Sequence, residues 1–329
     1  MDEHQPPFDP LIVSGEDLDV FDDWDGYESG YEVRFAVLSG KFVINRTRMD
    51  GDITHTDKGN MSFPTTKGNK SGSTWYSQSF LAMGGDLYRA PLPKLQRVLD
   101  IGTGTGTWAI DMADSFPDAV VIGTDLSPIQ PSWVPPNCVF EIDDFELEWN
   151  FSRSFDYIHA RAIEGCVHDF PRLFQQAYES LSPGGWFEIV DFTAGIFSDD
   201  ESTEKSPHLL EWRDQLIHAS RRFGKPLGVS GQYSEWMTQT GFANVRQEII
   251  QVPFGPWARN TTLKRLGIYH QANMLEALEA YSLALCTRYL GWSVEEVQLL
   301  LIGVRNELKD RSLHNYSKLY VVYGQKEAF

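Results

Sequence analysis

The segment with the clearest chemical character is a glycine-rich turn, which runs VLDIGTGTG over residues 98–106. Glycines have no Cβ, so the backbone of such a turn can approach a ligand closely. The glycine spacing is G-x-G-x-G rather than the G-x-G-x-x-G of dinucleotide-binding turns, and Asp100 stands two residues before the first glycine. A carboxylate at that place would repel a pyrophosphate but attract a cationic amino-acid group. The turn therefore predicts a site for a ligand with a positively charged end.

Acidic residues also follow two later apolar runs. Asp125 ends the run AVVIGTD, 19 residues after Gly106, and a carboxylate there can accept both hydroxyls of a ribose. Asp143 and Asp144 close the run CVFEI, where a carboxylate can accept an adenine amino group; we favour Asp144, with Asp143 as the alternative. Because ligands of open α/β sheets bind at the carboxyl ends of the strands, we expect these acids to line one edge.

Short apolar runs alternate with longer, helically periodic segments on either side of these acids. Strands are predicted at 97–101, 119–124, 138–142, 155–159, 186–192, 245–252 and 318–323. Helices are predicted at 108–116, 170–181, 209–222, 233–240 and throughout 262–311, apart from a break at Gly291. Strands separated by helix-length crossovers form a parallel sheet with helices on both faces. The sequence therefore predicts an α/β fold with a doubly wound, seven-stranded, mostly parallel sheet, and a helical cap at about 262–311 inserted before the last strand.

The first 74 residues differ in composition from the rest of the chain. Residues 1–30 contain ten acidic residues and no Lys or Arg, and residues 45–74 are rich in Gly, Thr, Ser and Asn. Segments of this kind usually stay solvated. We therefore expect an acidic N-terminal arm and a polar loop over 1–74, partly disordered, followed by one domain over 75–329 that opens with a helix at about 73–87.

Composition also narrows the class of function. Asp and Glu number 46 against 28 Lys and Arg, a formal net charge of −18, which argues against nucleic acid or an anionic membrane as a partner. No run of 18 apolar residues is present, the first residues lack the apolar stretch of a secretory signal, and the three cysteines form no CxxC pair. No spacing of His, Asp or Glu suggests a metal. We expect a cytoplasmic protein without disulfides or metal, and its oligomeric state is open.

The order and spacing of these motifs resemble the class I S-adenosylmethionine-dependent methyltransferases, and more closely the LaeA-like (TAM-domain) methyltransferases of filamentous fungi. The longest similar piece spans residues 98–149 and includes the glycine turn and all the acids described above. Shorter similar pieces follow in the same order: FDYIHAR at 155–161, LSPGGWFEIVDF at 181–192, GFANVRQEIIQVPFGPW at 241–257 and YSKLYVVYGQKE at 316–327. The resemblance covers about 75–329, and it implies the Rossmann-like methyltransferase fold with S-adenosyl-L-methionine as cofactor.

The resemblance also implies which residues bind the cofactor. The methionine part would lie against the glycine turn, the ribose against the acid after the second strand, and the adenine edge against one of the two acids after the third. A His-x-Arg motif after the fourth strand would face the reacting end. The implied set is Asp100, Gly102, Thr103, Gly104, Gly106, Asp125, Leu126, Asp143, Asp144, Phe145, His159 and Arg161.

The implied reaction is transfer of a methyl group to O or N of a small-molecule acceptor in fungal secondary metabolism. An aromatic content of 13% suits an apolar or aromatic acceptor. Candidate catalytic residues are His159, Glu164 and His168; alternatively, His159 positions a loop or the cofactor. Polar residues of the cap either reach a substrate or line a helix interface: Tyr269, His270 and Asn273.

Two other functions stay open at this point. Some members of the resembled family are regulatory proteins in nuclear complexes, which would imply a nuclear location, although the longest basic cluster here is Arg221-Arg222. Residues 28–74 diverge from the family pattern. That divergence is compatible with a methyltransferase-like enzyme that catalyses a cyclisation or rearrangement without methylation.

Overall fold

The computed structural model describes residues 31–38, 41–48 and 75–328. Our predictions for residues 1–30 and 49–74, most of the acidic arm and the polar loop, lie outside the described residues. Two strands precede the main domain, β1 (Tyr31–Leu38) and β2 (Lys41–Arg48), and they pair antiparallel. The prediction that the polar loop begins at residue 45 is wrong, because residues 45–48 pair with residues 31–34 and so continue the strand.

The central sheet has seven strands. They are β3 (Arg97–Ile101), β4 (Val120–Asp125), β5 (Cys138–Ile142), β6 (Phe155–Arg161), β7 (Leu181–Phe192), β8 (Ala243–Pro253) and β9 (Tyr316–Gln325). Their order is β5-β4-β3-β6-β7-β9-β8; β9 is antiparallel to both neighbours, and the pairings among β3 to β7 are parallel. The predicted sheet is confirmed. Since the chain moves outward from β3 to β5 and restarts at β6, a ligand crevice is expected between the ends of β3 and β6.

Helices cover both faces of this sheet. The described helices are α1 (Trp75–Ala82), α2 (Thr107–Ser115), α3 (Phe170–Ser180), α4 (Pro207–Phe223), α5 (Tyr233–Thr240), α6 (Thr261–Leu285) and α7 (Val294–Lys309). Neighbouring residues of a strand point to opposite faces. Val98 therefore packs with Trp108 of α2, whereas Leu99 packs in a separate core with Phe174 of α3 and Met237 of α5.

Helix α1 is shorter than the sequence suggests. It ends at Ala82, although we predicted helix to about residue 87. Gly84 and Gly85 follow with φ of 70° and 96°, and glycines in this left-handed conformation end a helix. Among the described helices, none combines the length and the apolar character needed to span a membrane.

The predicted cap is present between β8 and β9. It consists of α6, a π-helical turn at Cys286–Leu290 and α7, and the predicted break at Gly291 is confirmed by its φ of 78°. The structure adds α4, which the sequence analysis did not assign to the cap. Leu209 and Trp212 of α4 share one buried apolar core with Leu278 of α6 and Leu301 of α7.

Candidate active site

The glycine turn joins β3 to α2 and has an open backbone at its centre. Gly102, Gly104 and Gly106 adopt φ of 65°, 58° and 75°, a region that costs other residues strain. A Cβ at Gly104 would meet no atom within 4 Å, whereas a Cβ at Gly106 would lie 2.3 Å from the Phe140 ring. Gly104 thus leaves room for a ligand to approach, and Gly106 is required for packing.

Asp100 lies directly below this turn and is buried. Its Oδ2 accepts a hydrogen bond from Thr103 Oγ1 at 2.6 Å, and its Oδ1 lies 2.7 Å from Nδ1 of His159. Asp100, Thr103 and His159, three residues of the implied cofactor set, are therefore in direct contact. It places a carboxylate where the sheet edge and the turn meet.

Asp125 ends β4 beside the turn. Its Oδ2 accepts a hydrogen bond from the Gly104 amide at 2.9 Å, and its Oδ1 accepts one from the Ser127 amide at 2.9 Å. Gln130 Nε2 donates to the Gly104 carbonyl at 2.6 Å, which ties the same loop to the turn from the other side. The acid after the second strand and the open glycine are thus immediate neighbours, with the half-buried Leu126 next in the chain.

The end of β5 completes the row of acids. The Asp143 amide donates a hydrogen bond to the Asp125 carbonyl at 3.1 Å, so Asp143 extends the pairing of β5 with β4 by one residue. Asp144 Oδ1 accepts a hydrogen bond from the Glu146 amide at 3.0 Å. Phe145 is buried, and its ring lies 3.4 Å from the position of a Cβ on Gly102. An aromatic wall therefore stands between the last acids and the turn.

These features fit a nucleoside with a cationic amino-acid end, such as S-adenosylmethionine. Carboxylates at the ends of β3, β4 and β5 can accept hydrogen bonds from ammonium, ribose hydroxyls and an adenine amino group. The open backbone at Gly104 lies among them. Arg161, at the end of β6 opposite Val190, is half-buried on the other side of the crevice.

A cavity of about 230 Å³ lies between the ends of β6 and β7 and the cap helices α4 and α6. It is adjacent to the turn, because Ile163 Cγ2 lies 3.2 Å from the position of a Cβ on Gly102, and the neighbours of Ile163 in the chain, Ala162 and Glu164, line the cavity. Much of its wall is apolar or aromatic: Phe192, Ile196, Trp212, Leu216, Phe254 and Met274. Ala162 has φ of 53°, an uncommon conformation for a residue with a Cβ.

Two carboxyl groups lie in the cavity wall, those of the half-buried Glu164 and the buried Asp191. Glu164 Oε1 accepts hydrogen bonds from the amides of Val229 and Ser230, both at 2.7 Å. Burial raises the pKa of Glu164, and these amide bonds oppose the rise. Asp191 Oδ2 accepts the Tyr233 hydroxyl at 3.1 Å. Burial, followed by the charge of Glu164, holds the pKa of Asp191 well above its usual range.

The cap contributes a neutral histidine to the cavity. The His270 ring stacks against Phe192 and Phe254, with centroid distances of 5.3 and 5.0 Å. Its Nδ1 accepts a hydrogen bond from Gln78 Nε2, and Gln78 Oε1 accepts one from Asn273 Nδ2 at 2.9 Å. Burial lowers the pKa of His270 to about 3. The sequence left open whether these cap residues reach a substrate or line a helix interface. His270 lines the cavity, Asn273 contacts helix α1 through Gln78, and Tyr269 is exposed.

The three predicted catalytic residues occupy different places. Glu164 lines the cavity, His159 lies buried beneath the turn, and His168 is exposed on a loop where its amide donates to Glu146 Oε1 at 2.6 Å. Sequence reasoning missed Asp191, which closes an apolar run as Asp125 does and carried the same signal. Within the described ranges, no three His, Cys, Asp or Glu residues are grouped to hold a metal ion.

Comparison with known proteins shows the family of the chain. Residues 76–247 match a family described as "Methyltransferase domain". The chain is 37% identical over 242 residues to "Methyltransferase pytC" of Aspergillus terreus, covering 73% of this chain and 75% of that protein. It is 35% identical to "Probable methyltransferase tdiE" of Emericella nidulans, covering 75% and 78%, and 34% identical to "Secondary metabolism regulator LAE1" of Cochliobolus heterostrophus, covering 80% and 89%.

Fold and site together define a nucleoside-binding α/β protein of the Rossmann-like methyltransferase class. The chain belongs to the methyltransferase-domain family, and its relatives include fungal proteins of secondary metabolism. It is an S-adenosylmethionine-dependent methyltransferase, as the sequence analysis predicted.

Proposed function

We propose that this methyltransferase transfers a methyl group to O or N of a small, largely apolar or aromatic molecule of secondary metabolism. The observation that carries the proposal is the cavity of about 230 Å³ under the cap, which is walled mainly by apolar and aromatic side chains and adjoins the glycine turn. Pockets of this composition, with few polar groups, are typical of sites for small molecules.

The cofactor would be held by the residues implied from the sequence. Asp100 and the turn, including Thr103, would take the methionine end, and Asp125 with Leu126 would take the ribose and one face of the adenine. The edge of the adenine would meet the acids after β5. S-adenosylmethionine, when bound, supplies an electrophilic methyl group on a sulfonium. The half-buried Arg161 would close the reacting end.

Binding and orientation are the main tasks of the chain's own residues. Holding the acceptor's O or N in line can contribute about 7–11 kcal/mol to lowering the barrier. The cap helices cover the cavity, so water is kept from the reacting atoms. Glu164 is the proposed proton acceptor for a hydroxyl or amine acceptor, since its carboxyl lines the cavity and burial moves its pKa upward. A base of this kind adds about 10²–10⁴-fold.

We propose that the acceptor carries a hydrogen-bond donor, which the acidic groups of the cavity wall can accept. The acidic groups Glu164 and Asp191 line the cavity, and the histidine of the cap is neutral because its pKa is about 3. With a net charge of −18, neither nucleic acid nor an anionic membrane is a proposed partner, and we propose a cytoplasmic location.

Calorimetry with S-adenosylhomocysteine tests the cofactor site. The full chain is expected to bind it, and Asp125→Ala to weaken binding at least about 10-fold, because hydrogen bonds to a charged group are lost. Asp118→Ala is the matched control: Asp118 is exposed and precedes the opposite end of the same strand. No binding by the wild type, or equal binding by both variants, would refute the assignment.

A second experiment tests the acceptor. The protein is incubated with methyl-labelled S-adenosylmethionine and a fungal metabolite extract, and products are separated by chromatography and mass spectrometry. We expect label in an apolar small molecule, and Glu164→Gln is expected to slow labelling about 100-fold while S-adenosylhomocysteine binding is kept. Label confined to protein would contradict the proposal.

A regulatory role is a second candidate, favoured by the 34% identity to a protein named as a secondary metabolism regulator. It predicts a stable protein partner in a nuclear complex and no labelled small molecule. Affinity purification from fungal nuclei, followed by the labelling experiment on the same preparation, separates the two candidates.

A further inference from the structure

His159 pairs with Asp100 inside the sheet, beneath the glycine turn. His159 Nδ1 lies 2.7 Å from Asp100 Oδ1, and the two side chains are only 1% and 4% exposed. The second carboxylate oxygen is bonded by Thr103 at 2.6 Å. Both oxygens of Asp100 are therefore oriented by protein donors, one on each side.

The position of the His159 ring is determined by elements on two sides. In the parallel pairing of β3 and β6, Asp100 and His159 are direct neighbours, so their side chains share one face of the sheet. Trp108 of α2 stacks on the imidazole, with a centroid distance of 3.8 Å and an interplanar angle of 7°. Trp108 is itself anchored, because its Nε1 donates to the Leu87 carbonyl at 2.8 Å.

Burial favours the neutral form of the His159 ring. Burial lowers the pKa of His159, the bond to Asp100 opposes that change, and the charge of Arg161 adds to it. A neutral ring must carry its proton on Nδ1, since a carboxylate only accepts. Nε2 is buried and has no partner among the described residues, so a second proton there would leave a buried donor unsatisfied.

We propose that His159 is a positioning residue for the cofactor: its Nδ1–H orients the Asp100 carboxylate toward the methionine end. The ring is not among the residues that line the acceptor cavity. Each carboxylate oxygen can accept more than one hydrogen bond, so Asp100 keeps acceptor capacity for an ammonium group. This inference rests on the proposed function, in which Asp100 and the turn hold that end of the cofactor.

Two ligands separate this role from a general effect on the fold. S-adenosylhomocysteine carries the amino-acid end, whereas 5′-methylthioadenosine has the same nucleoside without it. The measured quantity is the ratio of their dissociation constants, obtained by calorimetry. Loss of the Asp100 orientation should weaken only the first ligand, by about 10–100-fold, so the preference for it collapses.

Four single variants and one double variant make the test specific. His159→Asn keeps a donor near the place of Nδ1, and we expect it to keep most of the preference. His159→Phe keeps the ring that stacks on Trp108 but loses the donor, and His159→Gln moves the donor away from Nδ1; both should lose the preference. Asp100→Asn should also lose it, and adding His159→Phe to Asp100→Asn should cause no further loss.

The outcomes are distinguishable. The inference is overturned if His159→Phe or His159→Gln keeps the wild-type ratio, if His159→Asn loses it as fully as they do, or if both ligands weaken equally. The comparison of His159→Asn with His159→Gln decides the matter should the phenylalanine variant not fold. Failure of the wild type to bind either ligand would instead refute the proposed function itself.

Discussion

A glutamate buried in the middle of β7 is expected to make the stability of this fold depend on pH near neutrality. Glu188 is fully buried, and its carboxyl oxygens accept the backbone amides of Arg89 and Ala90 at 2.7–3.1 Å. Burial raises the pKa of Glu188 from 4.5 to about 7, against the effect of these amide bonds. The side chain thus anchors the segment between α1 and β3 to the sheet.

The direction in which stability changes with pH follows from the two pKa values of Glu188. The folded state holds the proton more tightly than the unfolded state, so this contribution to stability is complete below pH 4.5 and is lost as the pH rises through about 7. Each pH unit between these values corresponds to about 1.4 kcal/mol. The whole interval corresponds to about 3 kcal/mol, most of which falls between pH 5 and pH 8.

The perturbation is Glu188→Gln, which keeps the size of the side chain but cannot ionise. Urea unfolding of both proteins at pH 5, 6, 7 and 8 gives the difference in free energy of unfolding. We expect the wild type to lose about 2–3 kcal/mol relative to the variant across this range.

Glu248→Gln is the control for this experiment. Glu248 Oε2 accepts a hydrogen bond from Nε of the same Arg89 at 2.9 Å, but its side chain is 43% exposed. Exposed pairs contribute at most about 1 kcal/mol, so its difference from the wild type should stay nearly constant with pH. A constant difference for Glu188→Gln would mean that the amide bonds outweigh burial, and the reasoning would be refuted.

Three further predictions concern the turn and the cap. Gly104→Ala should lower the free energy of unfolding by only about 1–3 kcal/mol, yet it should weaken S-adenosylhomocysteine binding at least about 10-fold in calorimetry. Gly106→Ala would place a Cβ 2.3 Å from an aromatic ring, so it should chiefly lower the unfolding temperature. Gly267→Ala would place a Cβ 2.0 Å from a backbone oxygen and should cost about 3 kcal/mol in urea unfolding; an unchanged midpoint would contradict the packing. Gln78→Ala removes the amide partner of His270 and should cost about 2–4 kcal/mol by the same measurement.

The sequence by itself determined the sheet and one side of the site. Alternating apolar runs and periodic segments specified seven strands with crossover helices, and acids at the ends of three early strands had to meet because parallel strands end at one edge. The glycine turn and Asp125 could be recognised for this reason, since their chemistry depends on local order along the chain. The cap was recognisable as a long helical stretch before the last strand.

Only the tertiary structure decided which distant residues act together. Asp100 and His159 are 59 positions apart, and their contact depends on the register of two strands, which a local pattern does not reveal. Glu164 and Asp191 come together in the cavity wall, and α4 joins the cap, through packing of apolar faces that many arrangements of the same helices would satisfy. Local chain order specifies where a strand ends, but burial and register specify what its last residue meets.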